Sequence, residues 1–219
     1  MKELNECILT LHEHMFFASR EIGSEYYTEP LIGNYALMYA LRWVESPYNA
    51  TIPHYIQDLQ KLEEQEYYIT PATPINNVKI VTEQFNALKE GYFFEMERAR
   101  SNYPQNGRIH MIARGTEFRF YAFSSENDIP KYIRLGKFLG KAKIAIRRKI
   151  PLNDLQEYKN AEYAGYLNPY DLKSIELLNY SLHSIHPTPL INSVKFNGIG
   201  VQLNPKEVLP WPMSFSFSD

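Results

Sequence analysis

Residues 109–123, IHMIARGTEFRFYAF, carry the clearest strand signal in the chain. β-branched and aromatic residues alternate with polar ones on both sides of Gly115, so the stretch is read as β throughout with a break at that glycine. Immediately upstream, residues 101–108 (SNYPQNGR) are turn-rich, and Asn106-Gly107 favours a tight hairpin connection. YFFEMERAR, residues 92–100, reads as the preceding strand, which makes residues 91–123 a β-hairpin or meander. TEQFNALKEG before it is weakly helical, and YYITPATPINNVKIV, residues 67–81, has two prolines separating short extended pieces.

Toward the N-terminus, Leu4–Leu11 alternates as a strand, with Cys7, Leu9 and Leu11 on one face and Ile8 and Thr10 on the other. Tyr35 to Val44 is apolar on nearly every face apart from Arg42, and Gly33-Asn34 supplies a cap, which predicts a buried helix. Pro53 starts a second helix from His54 to Gln65, in which Ile56, Leu59 and Leu62 recur at spacings of three. Beyond residue 150 the chain is mixed and tyrosine-rich. INSVKFNGIGVQL reads as a strand pair around Gly198 and Gly200, and PWPMSFSFSD as an irregular tail. The class expected is α+β, as one domain over residues 1–219.

Composition narrows the function. A formal net charge of -2 excludes a chain that binds nucleic acid through its overall charge, so any such affinity must be local. Cys7 is the single cysteine, which excludes an intrachain disulfide framework and a cysteine-cluster zinc site. Acidic residues in MKELNECILTLHEH stand where a secretory signal would be apolar, and no apolar run approaches the roughly 18 residues needed to cross a membrane, so a cytoplasmic location is expected. The 17 tyrosines suit either interfaces or the margin of a core.

The local charge lies between Lys131 and Lys149. KYIRLGKFLGKAKIAIRRK carries eight basic residues and no acidic one, against 23 lysines and arginines in the whole chain. A helix over Lys131–Ala142 would gather Arg134, Lys137 and Lys141 on one side, but Gly136 and Gly140 weaken that helix by roughly 1 kcal/mol each. The same glycines would let a phosphate backbone approach closely. From Lys143 the segment alternates with period two, placing Lys143, Ala145 and Arg147 opposite Ile144 and Ile146, and Arg148 and Lys149 extend the charge. Lys131, Arg134, Lys137, Lys141, Lys143, Arg147 and Arg148 are therefore candidate phosphate contacts; the competing reading is a solvated charged face.

Signals for chemistry are weak. His12 and His14 could share one strand face and His183 with His186 sits at turn spacing, but neither pair has a third metal ligand at a recognised interval. Gly198 and Gly200 do not make a phosphate loop, no paired aspartates suit two-metal catalysis, and no cofactor is implied.

Two stretches carry a family likeness: FFASREIGSEYYTEPLIGNYALMYALRW, residues 16–43, and YIRLGKFLGKAKI, residues 132–144. In these the sequence resembles the small five-prime-handle subunit of the type I-D CRISPR surveillance complex, in the Cas-five branch of the RAMP superfamily. The resemblance implies a ferredoxin-like, RNA-recognition-type β-sheet core with long insertions, including a β-hairpin thumb, for which residues 67–80 and 95–110 are the candidates. It also implies a non-catalytic subunit that binds the 5' handle of the guide RNA, contacts the backbone and large subunits, and sits near the recognition of a target-DNA motif. Carried onto this chain, Arg134, Lys137, Lys141 and Lys143 become candidate handle contacts, and so does Arg20, for which pairing with Glu21 or Glu29 is an equal explanation. Two rivals stand beside this: a metal-independent precursor-guide RNA endoribonuclease, and an interaction protein without RNA contact.

Overall fold

A computed structural model describes residues 3–44, 55–86, 106–152 and 155–216. Among them, the strands in chain order are β1 (Glu3–Leu11), β2 (Arg20–Ile22), β3 (Glu25–Tyr27), β4 (Tyr68–Ile69), β5 (Thr73–Pro74), β6 (Ile80–Asn86), β7 (Asn106–Ile112), β8 (Glu117–Ser124), β9 (Tyr132–Leu135), β10 (Gly140–Ile150), β11 (Gln156–Tyr163), β12 (Glu176–His183), β13 (Leu190–Asn204) and β14 (Glu207–Pro210). The α-helices are α1 (Asn34–Ala40) and α2 (Tyr55–Glu64). The described residues are thus mostly β with few helices, a smaller helical share than the α+β expectation implied.

The alternation that predicts β1 also explains why it is central. β1 lies between β8 and β10, antiparallel to both; β9 borders β10, while β4 and β5 border β8. Cys7, Leu9 and Leu11 face inward with Phe118 and Phe120 of β8, Ala142 and Ile144 of β10, and Ile133 and Leu135 of β9, all buried. Leu37 and Met38 of α1 and Leu59 and Leu62 of α2 belong to the same cluster, which gives the second-helix residues Leu59 and Leu62 their expected role. Truncating a side chain as enclosed as Leu9 would remove about 2–5 kcal/mol. Gly33 is the N-cap of α1, but no side chain caps it; Asn34 is buried and donates to Asp171 Oδ2 at 2.7 Å.

Among the described residues, the opposite face of this sheet is covered at one end. β11, β13, β12 and β14 form a second sheet, with β13 a single continuous strand where two had been expected. Phe123 meets Trp211 at 5.2 Å between ring centroids, Arg119 donates to Glu207 at 2.8 Å, and Arg148 donates to the Leu203 carbonyl at 2.8 Å. Trp211, Met213 and Phe215 in the irregular tail are buried. The other end, around Thr10, Tyr132, Arg134, Lys141 and Lys143, has no such cover among the described residues.

A third sheet runs β2-β3-β7-β6, with β3 parallel to β7. Asn106 and Gly107 lie inside β7, opposite Asn86 and Phe85, so the hairpin turn expected there is instead the start of a strand. TEQFN, read as weakly helical, lies in β6, and YFFEMERAR falls outside the described residues. Of the two candidate thumb segments, 67–80 contains β4 and β5, whereas 95–110 is described only from residue 106. Among the described residues no helix is long and apolar enough to cross a membrane.

Candidate nucleic-acid interface

The segment 131–149 forms a hairpin of β9 and β10, not a helix at its start. Ile133 and Leu135 are both buried with Tyr132 and Arg134 exposed, a period of two that no helix can satisfy. The turn uses Gly136 at φ +73° and Leu139 at φ +52°. Both glycines are explained by the protein's own chain. A Cβ on Gly136 would lie 2.4 Å from the Phe16 carbonyl oxygen, and one on Gly140 would lie 2.8 Å from that of His14. Lys137 N–H donates to that Phe16 oxygen at 2.8 Å. The close approach expected for a phosphate is taken up at these positions by residues 14 and 16, which ties together the two stretches of the family likeness.

The eight cations divide into two groups. Arg134 pairs with Glu13 at 3.3 Å, Arg147 reaches Glu6 at 3.6 Å, Arg148 also binds Glu6, and Lys149 bonds Glu3 at 2.8 Å and Glu126 at 2.9 Å. Those two carboxylates hold the Lys149 ammonium above its ordinary pKa. A β-bulge opposite Glu6 and Cys7 interrupts the expected alternation at Arg147 and brings both guanidinium groups to Glu6, which is only 3% exposed. Lys131, Lys137, Lys141 and Lys143 have no acidic partner among the described residues. Arg20 pairs with Glu29 at 2.8 Å, the alternative that its sequence neighbours allowed.

Lys141 and Lys143 stand on the uncovered face, opposite Arg134 and Tyr132 in the register of β9. Tyr132 was not singled out by sequence. Its signal was the exposed parity of YIRL beside Lys131. Lys141 Nζ lies 4.5 Å from the Tyr132 ring centroid, Lys131 Nζ 5.9 Å, and the His12 ring meets it edge-on at 6.0 Å.

The histidines go to separate tasks. His12 and His14 lie past the end of β1, not on a strand, and His14 Nδ1 accepts from Arg114 N–H at 3.1 Å. His110 stacks on Tyr27 at 4.2 Å, with Nε2 2.8 Å from Glu25 and Nδ1 2.9 Å from the Thr82 hydroxyl. Hydrogen bonds from His110 and Tyr27, with Arg108 nearby, hold the Glu25 carboxyl below its ordinary pKa. Both His110 nitrogens are thereby engaged by protein groups, and the cluster joins β3, β6 and β7. No group of three or more His, Cys, Asp or Glu side chains among the described residues could hold a metal ion.

A family model described as "Type I-D CRISPR-associated protein Cas5/Csc1" matches residues 2–218. Among solved structures, the chain is similar to one in the cryo-EM structure of the Type III-B Cmr-beta bound to cognate target RNA and AMPPnP, with a TM-score of 0.46 and 8% identity over 88% of this chain and 86% of that one. No curated protein matches.

Proposed function

The chain belongs to the type I-D CRISPR-associated Cas5/Csc1 family, and from that membership we propose that it is a non-catalytic subunit of a CRISPR surveillance complex that binds the 5' handle of the guide RNA. The observation that carries this reading is the set of four lysines, Lys131, Lys137, Lys141 and Lys143, which among the described residues have no acidic partner and lie on and beside a sheet face without cover. Cations in that state engage phosphates without first giving up an internal ion pair, and they bind a backbone by position and shape more than by base identity. Arg134 joins them when Glu13 yields it. Arg20, Arg147 and Arg148 hold the fold through carboxylates and reach RNA from the margin.

The proposal extends to a ferredoxin-like, RNA-recognition-type core for the central sheet. It keeps a β-hairpin thumb within residues 67–80 or 95–110, and takes the backbone and large subunits as protein partners near the site of target-DNA motif recognition. Ultraviolet crosslinking of guide RNA in the assembled complex tests the central part. Adducts within residues 131–149 are expected; adducts confined to other segments would reassign the RNA path, and none at all would favour an interaction protein without RNA contact.

A further inference from the structure

We infer that Tyr132 is a stacking platform for one unpaired nucleobase, with the neighbouring phosphates of single-stranded RNA held by Lys131, Lys141 and Lys143. This deepens the RNA-binding reading above and rests on it. Tyr132 is 45% exposed, although its strand neighbours Ile133 and Leu135 are buried in the core. The ring therefore stands outside the core, with His12 edge-on against it at 6.0 Å. Phe138, the other exposed aromatic of this hairpin, already leans on Phe16 at 5.0 Å.

The surroundings of Tyr132 select the occupant. Three lysines with no acidic partner among the described residues stand about one aromatic ring: Lys141 and Lys131 at 4.5 and 5.9 Å from its centroid, and Lys143 opposite it across the ladder. An unpaired nucleotide presents both complements at once, a π-face for the ring and a phosphate on either side for the ammonium groups. Duplex nucleic acid keeps its bases stacked and offers only the phosphates. An added protein strand is disfavoured because the edge strand β9 is only four residues long, carries Arg134 and is preceded by Lys131, and short, charged edges oppose pairing. Lys141, now at the ring, moves to a phosphate as the base arrives, and His12 at the ring's edge closes that side of the site.

The test uses the full chain and repeat-derived single-stranded RNA carrying 5-iodouridine at each handle position in turn, with photocrosslinks mapped by mass spectrometry. A crosslink to Tyr132 from one RNA position is expected. Tyr132→Ala should lose it and weaken binding by about five-fold to a hundred-fold with the salt slope retained, while Tyr132→Phe keeps both. Full affinity in Tyr132→Ala, or equal defects in the two variants, would overturn the stacking role while leaving the RNA-binding reading intact. Wild-type protein that binds no RNA would overturn both.

Discussion

The Glu13 carboxylate accepts from the Arg134 guanidinium at 3.3 Å, and the same oxygen accepts from the Lys141 backbone N–H at 2.7 Å. An internal anion thus sits at the edge of the face proposed for RNA, competing with phosphate for one arginine.

Replacing it as Glu13→Gln keeps an oxygen for the Lys141 N–H and removes the competing charge. The salt dependence of RNA binding should steepen by about 0.7 in slope, one further phosphate contact on a single strand. Stability should change by less than about 1 kcal/mol, because both partners are exposed. Filter binding at several salt concentrations and urea unfolding measure the two effects; an unchanged slope places Arg134 off the RNA path.

Gly136→Ala should destabilise the protein more than Gly23→Ala. Both glycines have positive φ, at +73° and +62°, a conformation costing about 1–3 kcal/mol for other residues. Only at Gly136 does the new Cβ also meet backbone, the Phe16 carbonyl, whose bond to Lys137 N–H would then be disturbed; nothing lies within 4 Å of a Cβ on Gly23. Urea midpoints for the two variants check the order, and equal losses would show that the hairpin and the residue 14–16 strap move apart freely.

Asp171 should make stability fall as pH rises from about 4 toward 7. Burial outweighs its hydrogen bonds from Ser216 N–H, Tyr68 and Asn34 and pushes its carboxyl up to about 7. With the folded pKa above the unfolded one, the folded state binds the extra proton. The stabilisation is therefore full below about 4 and is lost through 7, by up to about 1.4 kcal/mol per pH unit. Asp171→Asn should flatten this slope relative to wild type in urea melts from pH 4 to 8. Parallel slopes would mean that the carboxyl is ionised throughout.

The parts legible in sequence were those fixed by local periodicity. β1 and its buried face of Cys7, Leu9 and Leu11 follow from alternation alone, and α2 from the spacing of Ile56, Leu59 and Leu62, of which Ile56 turns out exposed. The hairpin of β9 and β10 was obscured because its glycines and lysines also fit one side of a helix; Gly136 and Gly140 acquire their meaning only from the distant chain at Phe16 and His14. Ion pairing was equally non-local. Within residues 131–149 no acidic residue occurs, yet Glu3, Glu6, Glu13 and Glu126 arrive from elsewhere and neutralise half the run. Tyr132 escaped notice because one tyrosine among 17 gains significance only when its ring is found exposed among lysines.

The lysines of this run that have no acidic partner among the described residues are proposed to meet RNA, and the double reversal Lys137→Glu with Lys141→Glu probes this most directly. Binding of guide RNA by the wild-type chain, measured on filters from low to high salt, should weaken steadily as salt rises. The doubly reversed protein, with an unchanged circular dichroism spectrum, should retain far less RNA at low salt and show a shallower slope. Matching affinity and slope in the two proteins would contradict the claim and leave this surface as charge facing water.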